Sequence, residues 1–227
     1  MRAILIPSKF EAKLLLRKLT SKLHYKVDDI DCYLGEFGDK TVTVAIIGMG
    51  KPHAIWRTDK FIRKTGPADV VLAGFAGALN PHLEHGDIII DRNNTRTVTV
   101  DKVVSSAHEK AGIFEQTHRE VVDMESRYIA EIANNYHLKC TVIRAVSDLA
   151  TENVPNHILK MGYDQDSGSF TPIKLLWHLL THPSQIKPFR RFLSPLGRVR
   201  QRLTNAVISY VETTPEPKLL DARAVEE

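Results

Sequence analysis

Apolar residues recur along this chain in short blocks whose period keeps switching between strand and helix. Arg2 to Pro7 is a brief apolar run, and Ala12, Leu15, Leu16 and Leu19 follow at helical spacing. Asp31 to Phe37 and Thr41 to Ile47 run apolar or alternate around Gly38-Asp39, the pattern of a hairpin. A helix is predicted from about His53 to Lys64, closed by Gly66-Pro67. Ala68 to Ala73 reads as a buried strand that runs into the small-residue segment Gly74 to Ala78, and Gly86 to Ile90 reads as another strand. Thr95 to Val104 is β-rich, and Ala107 to Thr117 is helical in pattern. Met124, Ile129, Ile132 and Ala133 mark a further helix, and Cys140 to Val146 is an apolar strand interrupted by Arg144. From Thr171 the pattern is helical, broken by prolines 172, 183, 188 and 195, and Pro215 and Pro217 open a polar tail.

Strands alternating with helices predict a single α/β domain over residues 1–212, with a mixed, largely parallel central sheet flanked by helices. Residues 213–227 form the tail, and neither an internal repeat nor a second domain is visible. Two cysteines are too few for a disulfide framework, which makes a reduced, cytoplasmic compartment the simpler reading. The N-terminal MRAILIPSKFEAK reaches charged residues too early for a secretory signal, and no uncharged apolar run approaches a membrane span.

The net charge of +4 hides an uneven distribution: no acidic residue lies between Asp166 and Glu212, where seven lysines and arginines fall. Two readings stand for this stretch. Residues 187–203 interleave arginines with Phe189, Phe192, Leu196 and Val199, which fits an amphipathic helix touching an anionic membrane surface. The same apolar residues fit ordinary core packing beneath a solvated basic face. No recognised nucleic-acid module accompanies the charge, so nucleic acid is not an expected partner.

Several motifs are excluded by spacing. Gly48 to Lys51 lacks the P-loop pattern, and His53 stands where GxGxxG needs a glycine. The pairs His82/His85 and His178/His182 have no acidic third ligand nearby in sequence, so no metal is expected. There is no GxSxG elbow. The carboxylates remain. Glu11 follows the first strand, Asp123 and Glu125 stand where a helix begins, and Asp148 lies just past a late strand. In an open α/β sheet, ligands bind outside the carboxyl ends of the strands, where Glu11, Glu125 and Asp148 converge if their strands are parallel and adjacent. Each also has an ordinary structural reading: Glu125 as first-turn helix charge, Asp148 as a cap or turn residue. The Gly74-to-Gly77 backbone lets something approach closely, either a packed helix or a ligand.

Taken in order, GMGK at 48–51, AGFAGALNPHLEHGDIII at 73–90, VVDMES at 121–126 and IRAVSD at 143–148 resemble the nucleoside phosphorylase/nucleosidase superfamily. The resemblance spans roughly residues 1–160, and the chain's ending resembles a short bacterial subgroup that includes hopanoid-associated phosphorylases. It implies cleavage of the N-glycosidic bond of a purine nucleoside or a 5′-substituted adenosine derivative, without a cofactor. Inorganic phosphate would be a co-substrate in a phosphorylase, and water the nucleophile in a nucleosidase. By resemblance, Asp148 protonates or hydrogen-bonds the leaving purine at N7, Met124 and Glu125 hold the ribose, and Glu11 orients the attacking water. Gly74, Phe75, Ala76 and Gly77 lie beside the nucleoside or phosphate, and Val104 falls where relatives offer an aromatic to the base. The resemblance also implies a homo-oligomer.

The sequence departs from the family pattern in three places. Phe75 replaces a small polar residue, no aromatic stands at Val103 or Val104, and the segment from Asp87 to Val121 is short. Phe75 and Glu11 favour hydrolysis. The departures also leave open a non-catalytic nucleoside-binding protein, and the basic 187–203 stretch, with the resemblance to hopanoid-associated relatives, leaves open a phosphorylase acting on a lipid-linked, hopanoid-type nucleoside.

Overall fold

The computed structural model describes residues 1–155, 163–164, 169–170, 181–182, 184 and 186–215. Strand β1 (Arg2–Ile6) is buried along its whole length and lies between two parallel neighbours, β4 (Lys40–Ile46) and β5 (Asp69–Ala78). Burial on both faces is what an unbroken apolar run encodes. Strand β9 (Cys140–Asp148) continues the parallel centre on the far side of β5. Antiparallel strands complete the sheet: β2 (Thr20–Val27) and β3 (Ile30–Phe37) lead into β4, and β6 (Ile88–Asp91) pairs with β9. The end of β5 pairs with β8 (Val121–Asp123), and β7 (Thr97–Thr99) runs parallel to β8. Two short strands, β10 (Tyr163–Asp164) and β11 (Ser169–Phe170), form a separate ribbon.

Helices cover both faces of this mixed sheet. On one side α1 (Lys9–Lys18) and α6 (Leu196–Thr213) pack Ala12, Leu15, Val199, Leu203 and Val207 against β1, β4 and β5. On the other, α2 (Lys51–Thr65) and α4 (Ser126–Asn135) bring Phe61, Ile62, Ile129 and Ala133 to the core. Helix α3 (Ala107–Thr117) starts from a full capping box between Ser106 and Glu109. Helix α5 (Ile186–Leu193) precedes α6. The apolar residues of α6 are core residues; burying each is worth about 1.5–3 kcal/mol, which is why the basic side chains of that helix face outward. In α5, Phe189 is buried while Ile186 and Leu193 are exposed.

The fold departs from the sequence pattern at five points. Residues 20–27 form a strand where none is predicted, and α2 begins at Lys51 rather than about His53. The Gly74-to-Ala78 segment is the second half of β5, not a segment after the strand, and Asp148 is the last residue of β9, not beyond it. The β-rich Thr95 to Val104 yields only the three residues of β7. There the buried Asp91 carboxylate accepts the backbone N–H groups of Asn93, Thr95, Arg96 and Thr97, so a carboxylate-centred loop takes the donors a longer strand would need. The predicted helix at 171–180 and the tail beyond residue 215 lie outside the described residues. No helix among the described residues is long and apolar enough to cross a membrane.

Candidate active site

Strands β1, β5 and β9 are parallel and adjacent, so the residues after their carboxyl ends share one rim of the sheet. Glu11 enters from the first turn of α1. Ser8 caps that helix, accepting from the Glu11 N–H, and its hydroxyl donates to Glu11 Oε2 at 2.5 Å. The other oxygen, Oε1, accepts the backbone N–H of Phe75 at 2.7 Å. Burial pushes the Glu11 pKa up, against the pull of Ser8, Phe75 and Arg144. A buried carboxylate that retains appetite for a proton is suited to act as a base.

Glu125 stands at the N-cap position of α4 but makes no capping bond; Asp123 accepts the Ser126 N–H instead. The Glu125 carboxylate turns away from the helix, accepting the Gly50 N–H at 2.8 Å and Arg144 Nη2 at 3.3 Å. First-turn charge stabilisation is therefore Asp123's part in this fold. Arg144, fully buried in the middle of β9, pairs with both Asp123 and Glu125. Burial works against the Arg144 charge, but Asp123, Glu125 and Glu11 outweigh it and hold its pKa above the ordinary value. One guanidinium thus serves three buried carboxyls.

The consequence falls on Glu125, whose pKa is raised from 4.5 to about 7, chiefly by burial, with Arg144 opposing and Asp123 adding to the rise. The folded chain holds this proton more tightly than the unfolded chain does. Its contribution to stability is full below pH 4.5 and is lost as the pH rises through about 7. Urea midpoints of the protein are expected to fall across that window more steeply than those of Glu125→Gln. Equal slopes would contradict the assignment.

Asp148 occupies the rim beside this group. Its Oδ1 accepts the Ser147 hydroxyl at 2.6 Å, and its Oδ2 faces the ammonium of Lys110 at 2.5 Å. It caps no helix: the turn that follows is closed by the Glu152 N–H on the Leu149 carbonyl. Two glycines of β5 make room for the two charged residues of β9. Gly74 is paired in register with Arg144, and a Cβ there would lie 2.4 Å from Arg144 Nη1. Gly77 is paired with Asp148, and a Cβ there would lie 2.9 Å from Asp148 Oδ2. The small residues that the sequence places after a strand are gaps within it.

The structure brings Glu11, Gly74, Phe75, Glu125 and Arg144 into one cluster, with Gly77 and Asp148 at its side. Ala76 joins through its carbonyl, 3.2 Å from the Ser147 hydroxyl. Met124 approaches the GMGK turn, its Cε 3.6 Å from where a Cβ on Gly50 would stand. The Phe75 ring packs edge-on against Phe10, with centroids 6.2 Å apart, so only its backbone reaches the cluster. Val104 is half-buried in the segment before the Ser106 cap of α3. His85 is engaged with the Ser147 carbonyl and the Glu152 carboxylate. Sequence reasoning misses Ser8, Arg144 and Lys110 as site residues. An arginine inside an apolar strand is a signal for the second, since a buried charge must find partners.

The family model of the phosphorylase superfamily matches residues 1–95 and 91–162. A 5′-methylthioadenosine/S-adenosylhomocysteine nucleosidase of Staphylococcus haemolyticus is 24% identical over 188 residues, covering 62% of this chain and 82% of that protein. One from Staphylococcus aureus is 34% identical over 80 residues, 35% of each chain. Among solved structures, the Neisseria meningitidis 5′-methylthioadenosine/S-adenosylhomocysteine nucleosidase in complex with methylthio-immucillin-A superposes with a TM-score of 0.69 at 19% identity, over 94% of this chain and 99% of that one. The futalosine hydrolase of Helicobacter pylori gives 0.70 at 16% identity, over 94% and 97%. The architecture is shared with these enzymes, and by its match across the first 162 residues the chain belongs to the phosphorylase superfamily.

Proposed function

We propose that the protein hydrolyses the N-glycosidic bond of a purine nucleoside or a 5′-substituted adenosine derivative, releasing the free base. As the bond from C1′ to N9 breaks, its electron pair moves into the purine, and Asp148 supplies a proton to N7. The sugar becomes oxocarbenium-like, water adds to C1′, and Glu11 takes the proton that the water loses. Glu125 accepts hydrogen bonds from the ribose hydroxyls. Arg144 balances the buried carboxylates, and no cofactor enters the scheme.

The observation that carries the choice of water over phosphate is the Glu11 carboxyl, buried and fixed by Ser8 and Phe75. It claims the Phe75 N–H that would otherwise face an anion. Ionised, it opposes a phosphate at that place, and Arg144 is already matched by Asp123 and Glu125. A homo-oligomer belongs to the same reading. Trp56, 72% exposed on the helix whose N-terminus meets Glu125, is the surface feature that favours it.

The test is base release, followed by chromatography, from adenosine, inosine, methylthioadenosine and S-adenosylhomocysteine, each with and without phosphate. Release at the same rate in both conditions is expected. Release that requires phosphate would make the protein a phosphorylase. Saturable nucleoside binding without turnover would make it a binding protein.

A further inference from the structure

Lys110 is the one fully buried lysine among the described residues, and it sits in the first turn of α3. That is the wrong end of a helix for a cation, because the backbone dipole is positive there. Its three ammonium protons are all used: Asp148 Oδ2 at 2.5 Å, the Leu149 carbonyl at 2.7 Å and the Glu152 carbonyl at 3.0 Å. A neutral donor could tie down two carbonyls. The third proton goes to the carboxyl of the proposed proton donor, where a cation meets the negative charge that appears once that proton has left. The surrounding segment is braced to hold it there. Val154 N–H donates to the Ser105 carbonyl, and the Ala107 N–H donates to Asn153 Oδ1, which locks the start of α3 onto the loop after β9.

We propose that Lys110 is a positioning residue for Asp148, which fixes the orientation of its carboxyl and neutralises the charge left on it when its proton goes to the departing base. The inference rests on the hydrolytic reading above. In that step the proton moves from Asp148 to N7, the glycosidic electron pair stays with the base, and the new carboxylate is already in contact with an ammonium. The barrier falls because the charge appears beside a fixed cation on a buried pair. The other titratable groups near the pair are His85 and Glu152, 3.2 Å from each other, and neither touches the Asp148 carboxyl.

The experiment is a double-mutant cycle of Lys110→Met and Asp148→Asn, with base release as the readout and circular dichroism to verify folding. Lys110→Met is expected to lower kcat by about tenfold or more, within the 10²–10⁴-fold that a general acid contributes, and to leave KM nearly unchanged. In the Asp148→Asn background the lysine substitution adds no further loss. If it lowers both backgrounds by the same factor, Lys110 is structural and the inference fails alone. If the unsubstituted protein releases no base from any nucleoside, the hydrolytic reading fails and takes this one with it. Should the methionine variant not fold, Lys110→Gln keeps a donor for the two carbonyls and carries the same cycle.

Discussion

Replacing Asp148 with asparagine lowers kcat by about 10²–10⁴-fold, the range a positioned general acid supplies. The amide preserves the shape of the group and its bond to the Ser147 hydroxyl, 2.6 Å away in the native chain, but it has no proton to give to N7. A purine leaving without that proton departs as a poor anion, so the loss falls on the chemical step and KM changes little. The measurement is steady-state base release by purified, folded protein, with unfolding midpoints taken in parallel because Lys110 loses its counter-ion. Turnover within a few-fold of the native rate would remove Asp148 from its role.

Arg144→Met is the substitution expected to harm the fold most. The side chain it removes is completely buried, and the residues left behind are Asp123, Glu125 and Glu11, all buried carboxyls. Breaking such a set by deleting one partner costs about 3–5 kcal/mol, since the remaining charges keep their desolvation penalty without the attraction that offset it. The deficit is largest at neutral to alkaline pH and shrinks on acidification, as protonation discharges the carboxyls. Urea denaturation at several pH values tests both parts. A loss below about 1 kcal/mol would show that the carboxyls do not depend on the arginine.

Much of this arrangement is legible in the sequence, and the parts that are not share a cause. The buried strands announce themselves because burial on both faces demands continuous apolar runs, as in β1 and β9. Strand β2 does not: it lies at the edge of the sheet with most of its residues exposed, so TSKLHYKV carries little hydrophobic pattern to read. The Gly74-to-Gly77 segment does not read as strand because its glycines serve Arg144 and Asp148, which belong to another strand. Asp148, Glu125 and Glu11 stand out through position relative to strand ends and through family resemblance. Lys110 has no such signal. Its meaning depends on Asp148, thirty-eight positions further along the chain, and spacing alone cannot express that pair.

The placement of Arg144 has a consequence for the order in which the molecule can be completed. Glu11, Asp123 and Glu125 all leave the ribosome before it, and the strand that carries it, β9, must slide between β5 and β6, pairing Val70 with Cys140 and Ile89 with Arg144. Such distant pairings form late, because the intervening chain has to be gathered first. Until they do, the middle of the sheet has an open edge and its acidic groups lack their cation. Insertion of one strand closes the edge and neutralises the interior together. A chain caught with β9 outside has neither a finished sheet nor the cation that its buried carboxyls share.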